Sequence, residues 1–156
     1  MKRLLVAATA LIGVMGVQTG WAGSATSTIA VSADVPAACT ISASPLAFGT
    51  LTPSNTFTAT TTINVTCTNG GAYQVALDTG ISGQGGLNLK GTVTFGYLPY
   101  GLYLDSNHTT AWNSGNVANG IGNGAEQSLT VYGQIITLST LVSDTYADTV
   151  TATISY

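Results

Sequence analysis

The chain is short of charge, of histidine and of cysteine, and each shortage argues against a class of function. Charged residues make up 6% of the sequence, and His108 is the single histidine. After residue 22, one base, Lys90, stands against six acids, a formal charge of −5. A surface so poor in basic side chains does not suit nucleic acid or anionic membranes. With so few groups for acid–base or metal chemistry, we expect a protein that is not an enzyme and holds no cofactor and no metal.

The first 22 residues have the layout of a secretory signal peptide. Two basic residues precede an apolar run over residues 4–17, and small residues surround a cleavage site after Ala22. Cleavage after Ala25 is one alternative. A membrane anchor is another, although the run is shorter than the roughly 20 residues that span a bilayer. The segment predicts export, and residues 23–156 have the length of one domain.

The two cysteines, Cys39 and Cys67, lie in two strand-like stretches of this exported chain. Export places them in an oxidising compartment, where a pair of this kind predicts one structural disulfide. Two free, buried thiols remain the alternative. The count and the spacing exclude a CxxC redox pair and a cysteine metal site.

Past the signal, polar and apolar residues alternate in short stretches typical of half-buried β-strands. Turn-forming residues separate these stretches, as in the glycine-rich segments 82–86 and 113–124. The candidate strands are residues 27–35, 39–48, 60–68, 73–78, 101–104, 128–135 and 146–156. About seven short strands in one domain predict an all-β fold, an antiparallel sandwich.

Both ends of the mature chain carry the alternation of a strand with one apolar face. The apolar positions near the N-terminus are Ile29, Val31, Ala33 and Val35. Those near the C-terminus are Val150, Ala152, Ile154 and Tyr156. Unpaired apolar strands tend to pair with other chains. The N-terminal strand can therefore pair within its own domain or add to the sheet of another molecule, and periodicity leaves both open.

Two further groups of residues could bind a ligand, although each can also be explained by a structural role. Asp144 and Asp148 flank a turn and could share a calcium ion, although the acids of this chain are scattered. The aromatic residues of the middle region could stack on sugars in a carbohydrate-binding or adhesive module, or could fill a sandwich core. They are Tyr97, Tyr100, Tyr103 and Trp112.

An ordered set of short segments resembles the spore coat protein U family. Residues 38–42 with 46–50, residues 63–68 and residues 73–77 are similar to the opening of that family's domain. Residues 101–105, running on to Trp112, resemble its middle, and residues 129–135 and 146–156 resemble its close. One departure is the stretch 90–101, where the family carries an Arg-Met-like segment and this chain has Leu-Asn-Leu-Lys at residues 87–90.

The resemblance implies a subunit of an archaic chaperone–usher pilus, with an incomplete immunoglobulin-like sandwich that lacks its last strand. A periplasmic chaperone would lend a strand during folding. At the outer-membrane usher, the N-terminal strand of another pilus subunit would replace it. The implied organisation is a signal peptide over residues 1–22, a donor-strand extension over 23–37 and a pilin-like body over 38–156.

Carried over to this chain, the resemblance assigns the four apolar N-terminal residues to the donor strand. The four apolar C-terminal residues would line the acceptor groove and contact the chaperone, whose basic groups would hold the terminal carboxylate. The implied location is a surface pilus or an extracellular coat reached through the periplasm. The implied role is structural and supports adhesion and biofilm formation.

Overall fold

The computed structural model describes residue 20 and residues 22–53, 56–82, 84–136 and 141–156. The chain divides into an N-terminal unit, residues 1–34, and a body, residues 35–156. The predicted signal peptide lies outside the described residues except for Gly20 and Ala22. Among the described residues, no helix is long and apolar enough to cross a membrane.

The described part of the body contains ten β-strands. They are β1 (Cys39–Ala43), β2 (Thr56–Cys67), β3 (Ala72–Leu77), β4 (Asn88–Gly91), β5 (Tyr97–Pro99), β6 (Gly101–Tyr103), β7 (Ala118–Ile121), β8 (Glu126–Ile136), β9 (Tyr146–Ala147) and β10 (Ala152–Ser155). They form sheets of order β1-β2-β8-β6, β10-β3-β7 and β5-β4-β9. All the strand pairs are antiparallel, which confirms the predicted all-β antiparallel architecture.

The core forms where the alternating apolar residues of the first two sheets meet. On β2, Ile63 and Val65 are buried, and on β3, Val75 and Leu77 are buried, because every second side chain points inward. Trp112 is 1% exposed and packs into this cluster. Its indole Nε1 donates a hydrogen bond of 2.8 Å to the Val75 carbonyl, so its polar edge is satisfied inside the core.

Two predicted strands are shorter in the structure. The strand predicted over 39–48 ends at Ala43, because Pro45 has no N–H to donate to a ladder. The strand predicted over 146–156 is divided between β9 and β10, which belong to different sheets. Between them the Thr149 and Thr151 N–H groups donate to the carboxylates of Asp148 and Asp78 instead of to a strand.

The remaining differences lie at the N-terminus and in weakly patterned stretches. Residues 22–38 form no strand in the structure, although 27–35 was predicted as one. Strands β4, β5 and β7 were missed. Each is three or four residues long and lies beside glycine-rich sequence, so none offers a run of alternation.

Candidate functional site

The disulfide joins the first two strands of the body. Cys39 and Cys67 are directly opposite on β1 and β2, with an S–S distance of 2.01 Å. The next residue, Thr68, holds the chain just before β1. Its N–H donates to the Ala38 carbonyl at 2.9 Å, and its Oγ1 accepts from the Ala38 N–H at 3.1 Å. The point at which the N-terminal segment leaves the body is therefore fixed by one covalent bond and two hydrogen bonds.

The predicted donor residues are exposed. Ile29 and Val31 are 88% and 89% exposed, and Ala33 and Val35 are exposed as well. None of the described residues before Cys39 belongs to a β-ladder.

The C-terminal residues are held by the second sheet. Ala152 lies opposite Leu77 and Ile154 opposite Val75, so β10 forms one edge of that sheet beside β3. Val150, Ala152 and Ile154 are partly buried against the core, whereas Tyr156 is exposed. The Thr151 N–H donates to the Asp78 carboxylate at 2.9 Å, which ties the start of β10 to the end of β3.

A cleft of about 450 Å³ opens between the edge of the first sheet, after β1, and the edge of the second sheet, before β10. Its side chains are mostly apolar. The lining residues are Ala43, Ser44, Pro45, Leu46, Phe48, Thr61, Ile63, Leu77, Leu89, Tyr100, Leu102, Val131, Asp148, Thr149, Val150 and Ala152. Of the predicted acceptor residues, Val150 and Ala152 line the cleft, and Ile154 and Tyr156 do not.

The sequence did not predict that residues after β1 line the cleft. Leu46 and Phe48 were assigned to a strand, whereas they lie beyond its end and cover β8. A Cβ atom built on Gly133 of β8 would lie 2.6 Å from Leu46 Cδ2 and 2.9 Å from Phe48 Cζ, so only glycine allows this approach. Two apolar residues, Leu46 and Phe48, alternate directly after Pro45. This pattern was the one sign in the sequence that the segment packs against the body.

The strand register defines two ends of the body. At one end, which we call the root pole, lie the Cys39–Cys67 pair, the turn at residues 68–71 and Ser155, which is opposite Gln74. At the other end, the open pole, the cleft lies between residues 43–48 and 148–152. Strand β1 therefore runs from the root pole to the open pole, and β10 runs back.

A hydrogen bond joins two residues that line the cleft, Tyr100 and Asp148. The Tyr100 hydroxyl donates to Asp148 Oδ2 at 2.8 Å. Burial raises the pKa of Tyr100 above its ordinary value, and the neighbouring Asp148 carboxylate raises it further. Asp148 Oδ1 also accepts from the Ile81 N–H at 3.0 Å. This carboxylate therefore holds the Tyr100 side chain, which lines the cleft, and the backbone of Ile81.

Asp144 holds a second loop in the same way. Its carboxylate accepts hydrogen bonds from the N–H groups of Val93 and Thr94 and from the hydroxyls of Thr92 and Thr94. The Thr94 hydroxyl, followed by the Thr94 N–H, holds the pKa of Asp144 well below its usual value. Both acids suggested as a calcium pair therefore serve as acceptors for loop backbone. Within the described residues, no cluster of His, Cys, Asp and Glu could hold a metal ion.

The middle aromatic residues do not form a flat exposed platform. Trp112 is in the core, and Tyr100 lines the cleft. Tyr103 contacts the His108 ring edge-to-face at a centroid distance of 5.2 Å. Among these four aromatics only Tyr97 is exposed. The burial of Trp112 confirms the core interpretation for that residue.

The comparisons with known proteins agree with this geometry. The sequence profile of the Spore Coat Protein U domain matches residues 25–153, and the chain belongs to that family. No curated protein matches the chain.

A solved structure shares the fold. The crystal structure of the CsuC–CsuE chaperone–tip adhesion subunit pre-assembly complex, from archaic chaperone–usher Csu pili of Acinetobacter baumannii, contains a chain similar to this one. The TM-score is 0.63 at 23% sequence identity, and the match covers 78% of this chain and 40% of that chain. This chain therefore spans less than half of the chain that it matches. The likeness supports the immunoglobulin-like, all-β assignment.

Proposed function

We propose that this protein is a structural subunit of a surface pilus or coat that polymerises by donor-strand exchange. One observation carries the proposal. The same chain presents an exposed apolar segment without a ladder, residues 29–35, and an apolar cleft between two sheet edges. An extended segment placed between such edges gains main-chain hydrogen bonds and buries alternate side chains.

The side chains of the N-terminal segment and of the cleft support this assignment. Ile29, Val31, Ala33 and Val35 present one apolar face, and the cleft is lined mainly by aliphatic side chains and the rings of Phe48 and Tyr100. Each apolar side chain that leaves water for such a cleft contributes up to about 1.5–3 kcal/mol. Because donor and acceptor are different surfaces of one chain, copies would join head to tail and form a fibre.

The partners and the route follow from the same proposal. An open apolar cleft is an aggregation hazard before assembly, so a periplasmic chaperone would cover it until an outer-membrane usher adds the subunit to the fibre. The organisation would be a signal peptide over 1–22, a donor extension over 23–37 and a body over 38–156. The finished fibre would lie at the cell surface, with a role in adhesion and biofilm formation.

Removal of the donor tests the proposal. A variant lacking residues 23–35, expressed with its chaperone, should accumulate as a chaperone-bound monomer and form no fibres under the electron microscope. A control in which the same residues are scrambled, so that the alternation is lost, should behave likewise. Fibres from either variant at the level of the unmodified protein would contradict donor-strand exchange.

A further inference from the structure

Two short stretches of the chain match the sequence at which N-linked sugars are attached. Residues 107–109, Asn-His-Thr, follow the pattern Asn-X-Ser/Thr, in which X is any residue except proline. Residues 64–66, Asn-Val-Thr, follow the same pattern. So short a pattern also arises by chance. The structural surroundings of each asparagine therefore decide whether it can accept a sugar.

Asn64 is not available in the folded body. It lies within β2, with Ser42 of β1 opposite on one side and Ser128 of β8 opposite on the other. Its side-chain Oδ1 accepts a hydrogen bond of 2.8 Å from the Ser128 hydroxyl. Because β2 is paired along both edges here, an enzyme could bind this stretch of backbone only if the sheet opened.

Asn107, in contrast, lies in an exposed loop. Tyr103 and Ala111 form an antiparallel bridge at the base of this loop, and Asn107 is exposed in the turn between them. Within the described residues, no group forms a hydrogen bond with the side-chain amide of Asn107. The amide nitrogen is therefore accessible from solvent, as a bulky surface modification requires.

The residues around Asn107 hold the loop in this form. The Asp105 carboxylate accepts hydrogen bonds of 3.1 Å from the N–H groups of Asn107 and Thr109, and one of 3.0 Å from the Thr109 hydroxyl. The His108 ring packs edge-to-face on Tyr103, at a centroid distance of 5.2 Å. Asp105 and Thr109 thus close the loop and His108 anchors it, with Asn107 at its apex. Thr109 is exposed, so its hydroxyl can exchange Asp105 for a group on an enzyme.

The loop lies away from the strand that borders the cleft. In the order β1-β2-β8-β6, the loop follows β6, at the opposite edge of the first sheet from β1. Three strand spacings separate β6 from β1, a distance of about 14 Å. None of the residues 105–110 lines the cleft. A sugar on Asn107 would therefore leave the cleft open to an occupant.

We propose that Asn107 is an acceptor site for an N-linked oligosaccharide, which an oligosaccharyltransferase attaches after export from a lipid-diphosphate-linked donor. In the transfer, the bond between the anomeric carbon and the diphosphate oxygen breaks, and a bond from that carbon to Asn107 Nδ2 forms. Nδ2 loses one proton, and the lipid diphosphate leaves. The sugar hydrates a chain in which charged residues make up 6% of the sequence. The site requires the predicted export and is independent of donor-strand exchange.

Mass spectrometry tests the site. The full chain is produced in a bacterium whose periplasm contains an oligosaccharyltransferase and a lipid-linked oligosaccharide of known mass. The intact mass of the exported protein should exceed that of the unmodified chain by one oligosaccharide. Cleavage by chymotrypsin after Tyr73 and Tyr103 places the two candidate asparagines on different peptides. The added mass should be on the peptide that contains Asn107.

Three variants complete the test. Asn107→Gln should lose the added mass entirely, whereas Thr109→Ser, which keeps the hydroxyl, should retain it. Asn64→Gln is the matched control and should retain it as well. An equal melting temperature for Asn107→Gln and the unglycosylated chain checks that the body is folded.

An exported chain without added mass, or added mass that persists in Asn107→Gln, would overturn the proposal. A chain that keeps residues 1–22 would contradict export, and with it the site, because the transfer takes place only after export. Fibre formation plays no part in this experiment, so its outcome is separate from that of donor-strand exchange.

Discussion

Two segments of the chain have the same sequence pattern and opposite structures. Residues 29–35 and residues 150–156 each alternate apolar and polar side chains. The first segment is exposed and forms no strand. The second segment contains β10, which pairs with β3 and packs on the core. The alternation therefore records the ability to form a strand and does not identify the partner.

The difference comes from the surroundings of each segment. The C-terminal segment follows β9 into the open edge of β3, and Asp78 holds Thr151 there. The N-terminal segment ends at Pro36, which cannot donate to a ladder, just before the point that Thr68 fixes. If the N-terminal segment is a strand for another molecule, changes in it should affect assembly, and changes in β10 should affect folding.

The largest expected effect is on assembly. Val31→Asp would place a charge on the apolar face of the donor, and burial of an unpaired carboxylate is strongly unfavourable. Fibre formation should be abolished, as judged by electron microscopy. Ser32→Asp, one residue away on the opposite face, is the matched control and should polymerise. Equal loss in both variants would show that the alternation of the segment carries no function.

Removal of the disulfide, which lies in the body, should have the next largest effect, a loss of stability. Cys39 and Cys67 are 28 residues apart, and a crosslink that closes a loop of that length stabilises by about 3–4 kcal/mol on the chain-entropy model. The double serine variant should therefore show a lower denaturation midpoint and a lower yield of chaperone-bound subunit. An unchanged midpoint would mean that the crosslink does not stabilise the body.

A matched pair of isoleucines compares the two ends directly. Ile154→Ala removes side-chain volume that is partly buried against the core, and should destabilise the body by about 2 kcal/mol in chemical denaturation. Ile29→Ala makes the same chemical change in the exposed segment and should leave the denaturation curve unchanged. A similar loss in both would show that residues 29–35 contribute to the fold of their own body.

The smallest effect should come from the carboxylate that holds the start of β10. Hydrogen bonds from the Thr151 and Gly80 N–H groups lower the pKa of Asp78 below its usual value. Its contribution is therefore complete above the unfolded pKa of about 4 and is lost as the pH falls below that value. Asp78→Asn should lower the melting temperature slightly at pH 7 and flatten its decline in acid. Asp34→Asn, outside the body, is the control and should change neither.

The sequence predicted those features that depend on neighbouring residues. Alternation located β2, β3 and β8, and the cysteine pair located one contact before any fold was known. The sequence did not predict that residues after Pro45 line the cleft. It also did not predict the loops that Asp144 and Asp148 hold. Those carboxylates bind groups about 50 and 67 residues away, and no local pattern announces such contacts.

The central claim is that residues 29–35 occupy the cleft of another copy, and crosslinking tests it most directly. A photo-crosslinking amino acid would replace Val31 in full-length chain, and mass-labelled and unlabelled subunits would be assembled together into fibres. The account predicts crosslinks between labelled and unlabelled chains that map to the cleft, at residues 43–48 or 148–152. Crosslinks confined to single chains, or crosslinks between chains that map outside the cleft, would contradict it.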